Sequence, residues 1–125
     1  MTEALELIRG LKVADLGTHL ADDAEWWVMG DPAILPFAGS YRGPEGFAEW
    51  LRNIRAAVTY DRFDVIQYIA AGDEVIEIIE AAGTANANGR RYESRVVRIF
   101  TVRGGKIVRV QSFFDTAEYA KALHG

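Results

Sequence analysis

"EVIEIIEAAGTANANGRRYESRVVRIFTVRGGKIVRVQSFFD", residues 74–115, is the stretch whose reading decides the fold. It breaks into three long runs rich in β-branched and aromatic residues. Two turn signals separate them, one near Asn88-Gly89 and one at Gly104-Gly105. No segment of helical period interrupts the runs, so they are expected to pair as an antiparallel meander. Apolar residues occur on both faces of that meander, so the sheet needs two covers. Helices from the first half of the chain supply one. Solvent, together with a partner subunit, supplies the other. A curved sheet folded over helices makes a cone, and a cone can hold a small molecule.

Upstream of this stretch the periods change. Residues 2–10 read as a short helix and residues 13–20 as a second, each with an apolar side. Residues 24–30 form a Trp- and Val-rich strand that Asp31-Pro32 breaks. Residues 37–41 suggest a short crossing strand. Gly43-Pro44 opens a helix over 44–57, with Phe47, Trp50, Leu51 and Ile54 on one face. Residues 59–70 are a strand, and Gly72-Asp73 turns it into the meander. Downstream, Asp115-Thr116-Ala117-Glu118 has the spacing of a capping box, so Asp115 is expected to cap a closing helix that ends at Leu123. Residues 1–125 thus read as one α+β domain.

Composition narrows the function. With 14 basic and 18 acidic residues interspersed and a net charge of −4, the chain offers no basic stripe, which argues against nucleic acid. It has no cysteine and only two histidines, His19 and His124, so no metal site is expected. No stretch has the ~20 apolar residues of a membrane span, and the first residues lack the basic start of a signal peptide. A cytoplasmic protein without a cofactor is the expectation.

Two segments carry a family resemblance: "LADDAEWWVMGDPAILPFAGSYRGPEGFAEWL", residues 20–51, and "GRRYESRVVRIFTVRGGKIVRVQSFFD", residues 89–115. Together they resemble the SnoaL-like branch of the nuclear transport factor 2-like superfamily, which includes ketosteroid isomerase, limonene-epoxide hydrolase, scytalone dehydratase and polyketide cyclases. The resemblance implies a cystatin-like α+β cone, an antiparallel sheet wrapped on N-terminal helices. Because the first helix is shorter than is usual in the family, a more open pocket is expected. The resemblance also implies a register in which Trp26, Val28, Glu77, Ile79, Ala81, Ser94, Val96, Arg98, Phe100, Val110, Ser112 and Phe114 face the pocket. A two-residue turn at Asn88-Gly89 supports the same faces, placing Ile79 opposite Arg98 and Ala81 opposite Val96. A bulge near Gly104-Gly105 is then needed to keep Val110 and Ser112 inward. Without it Arg109, Gln111 and Phe113 would turn in.

The family's known catalytic sets do not transfer. The carboxylate base of ketosteroid isomerase-type sites, a worked example of pKa tuning, falls at Val28. Its oxyanion Tyr falls near Ala4 and its protonated Asp at Val96. The epoxide hydrolase positions fall at Ala81, Ile79, Ser112, Trp26 and Val28, and the cyclase Asp at Ser112. What remains is Arg98, which in an apolar cone must be paired or bind an anion, with Glu77 on the same face. Either the two close a buried ion pair, or Arg98 stabilises charge on a substrate carboxylate, enolate or phenolate while Glu77 transfers protons. Trp26, Val28, Trp50, Tyr60, Ser94, Phe100, Ser112 and Phe114 are the candidate ligand contacts. Asp64 reads as a solvated strand residue, His19 as a surface residue, Asp31 as a turn residue, and Asp22-Asp23 as the end of the second helix. Two functions stay open. One is a cofactor-independent isomerase, dehydratase or cyclase acting on a small apolar or aromatic molecule. The other is a non-catalytic binding or dimerisation module. The outer face, with Ile78, Val97, Ile99 and Phe113, is expected to pair two copies, with Glu80 and Arg95 as interface ion partners.

Overall fold

A computed structural model describes residues 2–125. Helix α1 (Glu3–Ile8) starts where the Thr2 hydroxyl accepts a hydrogen bond from the Leu5 amide at 3.1 Å. A 3-10 helix (Val13–His19) follows and buries Leu16. Strand β1 (Leu20–Val28) starts four residues before the expected boundary, so Asp22 and Asp23 lie in the strand and do not end the helix. Strand β2 (Gly39–Arg42) leads into α2 (Gly43–Ala57), which buries Phe47 and Ile54. Gly43 is required at this junction. Its φ is +67°, and a Cβ there would lie 2.4 Å from the Asp22 carbonyl oxygen.

The second half is β3 (Val58–Ala71), β4 (Glu74–Ala85), β5 (Arg91–Arg103), β6 (Lys106–Phe114) and α3 (Thr116–His124). Among the described residues the strands form one sheet in the order β2-β1-β6-β5-β4-β3. The meander is antiparallel, as the turn signals require. β1 runs parallel to β6, with Trp26 beside Val110 and Val28 beside Ser112, so the sheet is mixed. A parallel pair needs a long connection, and the meander supplies it.

Two details of register matter for the site. The first hairpin is longer than a two-residue turn. Ala85 and Arg90 close a loop over residues 86–89, bonded from the Ala85 amide to the Arg90 carbonyl at 2.9 Å. Ile79 therefore faces Val96, Ala81 faces Ser94, and Glu77 lies directly opposite Arg98. The shift relative to the two-residue turn is two residues, so every side chain keeps its face while its partner changes. In the second hairpin, Gly104-Gly105 makes the turn and a bulge at Val108 changes the register. Val110 and Ser112 are buried and Arg109 is exposed, as the bulged form requires.

Candidate functional site

The concave face of the sheet, closed by α2 and α3, encloses a cavity of about 260 Å³. Val28, Val96, Ser112 and Phe114 from β1, β5 and β6 form one wall. Trp50 and Ile54 of α2, Tyr60 and Phe63 of β3, and Tyr119 of α3 form the other. Val13, Arg55 and Phe63 also line it, the last of which is 38% exposed.

Five of the sequence-expected contacts line this cavity: Val28, Trp50, Tyr60, Ser112 and Phe114, together with Arg98. Three others do not. Trp26 is 1% exposed and sits behind Trp50 and Phe47, with ring centroids 4.9 Å from each, so it supports the wall without reaching the cavity. Ser94 is turned to backbone. Its hydroxyl donates to the Arg95 carbonyl at 2.9 Å and accepts from the Asp115 amide at 3.0 Å. Phe100 lines a separate hollow of about 330 Å³, along with Glu77, Lys12 and Tyr68. Glu77 therefore does not open onto the main cavity either.

Arg98, Phe63 and Val13 are common to both spaces, so Arg98 stands between them. The side chains of Arg98 and Glu77 are 7% and 5% exposed, with Nε and Oε1 3.5 Å apart. That is a charge contact but a poor hydrogen bond, and Arg98 Nε has no hydrogen-bond partner among the described residues. The guanidinium carbon lies 5.0 Å from the centre of the Phe63 ring, a cation–π distance. Burial pushes the Glu77 carboxyl above its ordinary range, and the charge of Arg98 offsets this only in part.

No sequence pattern singled out Tyr119. The Tyr60 and Tyr119 hydroxyls are 3.0 Å apart, and the Tyr119 ring stacks at 4.5 Å on Tyr92. Burial raises the phenol pKa of Tyr60 against smaller lowering effects of Tyr119, Arg98 and Tyr92. It raises that of Tyr119 as well, with Tyr60 adding to the shift. Both phenols therefore keep their protons in neutral water. One donates to the other, and one O–H is left to point elsewhere. Trp50 Nε1 is fully buried, with no hydrogen-bond partner among the described residues. The polar side chains on the cavity wall are thus Arg98, Ser112 and the two phenols, with the exposed Arg55 also lining it. Among the described residues no Asp, Glu or His lines it.

Phe63 and Val65 were missed for a different reason. β3 carries register shifts between Tyr60 and Arg62 and between Val65 and Gln67. Each extra residue switches the face, so Tyr60, Phe63, Val65 and Tyr68 sit opposite inward residues of β4 while Asp64 points out. Asp64 accepts from Arg62 Nε at 3.0 Å, in keeping with a solvated strand residue. Asp31 is a turn residue whose carboxylate accepts from the Ala33 amide at 2.9 Å. Glu80 contacts Arg95 at 3.2 Å and Arg62 at 2.5 Å within the chain.

Comparison with known proteins agrees with the fold. The profile of the SnoaL-like domain matches residues 2–110. No curated protein matches the sequence. An NTF2-like protein from Burkholderia thailandensis is 27% identical, with a TM-score of 0.86 and all of both chains covered. An NTF2-like protein of unknown function from Burkholderia pseudomallei is 19% identical over all of both chains, with a TM-score of 0.87. TerC, co-crystallised with polyporic acid, is 20% identical over 99% of this chain and 100% of its own, with a TM-score of 0.83.

Proposed function

We propose that this chain, which belongs to the SnoaL-like domain family, binds a small ring-containing apolar molecule in the cavity between the concave sheet face, α2 and α3. The observation that carries the reading is the lining itself. An apolar wall of Val28, Trp50, Ile54, Val96 and Phe114 is interrupted by a few polar groups, Arg98, Ser112 and the Tyr60–Tyr119 pair. That composition is typical of ligand pockets, since the apolar wall supplies affinity and the few polar groups orient the guest. A chain of the same fold, TerC, was crystallised with polyporic acid, which is consistent with a ring guest.

A second reading is cofactor-independent isomerisation, dehydration or cyclisation. The buried, incompletely bonded Arg98 favours it, because a preorganised cation in a dry site stabilises developing negative charge. In that reading Arg98 holds the developing oxyanion and the tyrosine pair is the acid. Glu77 takes part only if the substrate extends past Arg98 into the smaller hollow.

Both readings place two copies of the chain back to back through the outer sheet face. The test of ligand binding is a thermal-shift screen with steroids, terpene epoxides, aromatic polyketide esters and small aromatic carboxylates. A guest that binds the folded state raises the melting temperature by mass action. A rise for one class, abolished by Val96→Trp, which fills the cavity, is the expected result. No shift with any compound would overturn the ligand-binding reading and leave pairing of copies as the role.

A further inference from the structure

We infer that the cavity takes a ring compound bearing one acidic oxygen group, held as its anion by Arg98, and that Glu77 takes up a proton as this anion binds. The inference rests on the cavity being the ligand site and adds the chemistry of the guest.

The wall carries hydrogen-bond donors and one buried positive charge, Arg98, with a second, exposed arginine, Arg55, and among the described residues no carboxylate to receive a donor or a cation. The Arg98 guanidinium only donates, Ser112 offers a hydroxyl, and the Tyr60–Tyr119 pair has one O–H to spare. A neutral hydrocarbon would leave these groups unpaired in a dry space, at a cost. A carboxylate, phenolate or enolate oxygen satisfies them.

Arg98 already has an anionic neighbour, and that contact is incomplete. Glu77 meets it from the smaller hollow at 3.5 Å, and among the described residues Arg98 Nε is left without a hydrogen bond. The other groups facing that hollow are the Tyr68 phenol from β3 and Lys12 from the segment before the 3-10 helix. The Tyr68 hydroxyl is itself engaged, accepting from the Gly10 amide at 3.0 Å. Among the described residues no second carboxylate faces Glu77 across the hollow. When an anion arrives on the cavity side of Arg98, one cation serves two buried negative charges. Two carboxylates sharing a site cannot both stay ionised, so one takes a proton. The guest is the better-bonded partner, and Glu77, already raised by burial, is the one that closes an O–H bond with a proton from solvent. If the guest enters as the neutral acid its proton passes to Glu77, and the net balance is unchanged, because between about pH 5 and pH 8 that acid forms from the free anion with a proton from solvent.

The test uses 2-naphthoate and its neutral counterpart 2-naphthamide with the intact protein. Titration calorimetry in two buffers of different ionisation enthalpy, repeated between about pH 5 and pH 8, reads both affinity and proton uptake. The expected result is a preference for naphthoate of at least about tenfold, the worth of a charge-assisted pair. Uptake should approach about one proton per ligand in part of that range. Glu77→Gln should abolish the uptake and tighten naphthoate binding, since it removes the competing charge. Arg98→Gln should erase the preference while naphthamide still binds. Equal affinities of the wild-type protein for both compounds, or no uptake at any pH, would overturn the inference and leave the cavity reading standing on naphthamide binding. Binding of neither compound would overturn both. The wild-type measurements decide the matter even if a variant fails to fold.

Discussion

Arg98 carries a buried charge that one carboxylate at 3.5 Å and one ring at 5.0 Å stabilise incompletely. Its stability contribution therefore depends on pH through Glu77. Glu77 is raised in the folded state, so the native chain holds that proton more tightly than the unfolded chain does. Stability from this group is fully present below the ordinary carboxylate pKa. It is lost as pH rises through the window between that value and the raised folded value. Arg98→Met keeps the apolar stem but leaves Glu77 without its cation, and at neutral pH it is expected to cost roughly 3–5 kcal/mol. The cost should shrink as pH falls and Glu77 neutralises. Urea unfolding of wild type and variant across pH checks this. A cost independent of pH would mean that lost packing, not an uncompensated Glu77, is what destabilises the variant. At this scale the sequence was informative about identity and poor about place. Arg98 and Glu77 could be selected because charges on an apolar strand face demand partners. That Trp26 would stand behind Trp50, or that Tyr119 would reach Tyr60, depends on how helices lie on the sheet, which no local pattern encodes.

Elements were legible where period and turn chemistry agree. The meander, α2 and α3 follow from alternation, from the opening Gly43-Pro44 and from the Asp115 cap. The boundaries that failed are those set by pairing. Leu20 to Asp23 look like a helix end but extend β1, because Leu20 can pair with Ile107 on β6. The bulges of β3 were invisible because an extra residue in an edge strand leaves no compositional mark, and they turn Phe63 inward and Asp64 outward. The closing helix shows how an element reaches the site. Asp115 accepts from the Glu118 amide at 3.1 Å, while its own amide donates to Ser94. Ser94 thus occupies the place that the glutamate side chain takes in a reciprocal capping box. This explains why a serine that faces inward on β5 does not line the cavity. Asp115→Ala is expected to cost about 1 kcal/mol in urea unfolding, the usual worth of an N-cap. Because α3 carries Tyr119 to the cavity wall, the same variant should weaken naphthoate binding as well. Full stability with intact affinity would show that the cap does not hold α3 in place.

For the whole molecule, the open question is what covers the outer face of the sheet. Register brings Ile69, Ile76, Ile99, Gln111 and Trp27 into one row across β3, β4, β5, β6 and β1. The next row places Ile78 beside Val97 and Val97 beside Phe113, whose ring lies 5.3 Å from that of Trp27. A charged row of Asp64, Glu80 and Arg95 bounds this apolar band. Among the described residues no helix packs on it, and most of its side chains are only half-buried. An apolar band with a polar border suits a twofold contact, in which the same patch meets itself. A homodimer, twice the 13.9 kDa chain, is therefore expected by light scattering at micromolar concentration. Ile99→Asp places a charge at the centre of the band and should yield monomer. The competing contact is the free edge of β3, where Ile66 is 47% exposed and unpaired strand groups could meet a second strand. Ile66→Asp tests that edge. If it splits the dimer while Ile99→Asp does not, the copies join through β3. Ile99 and Arg98 are neighbours on β5 that face opposite sides of the sheet. An Ile99→Asp monomer that still binds naphthoate would therefore separate the two faces, leaving each cone complete within one chain.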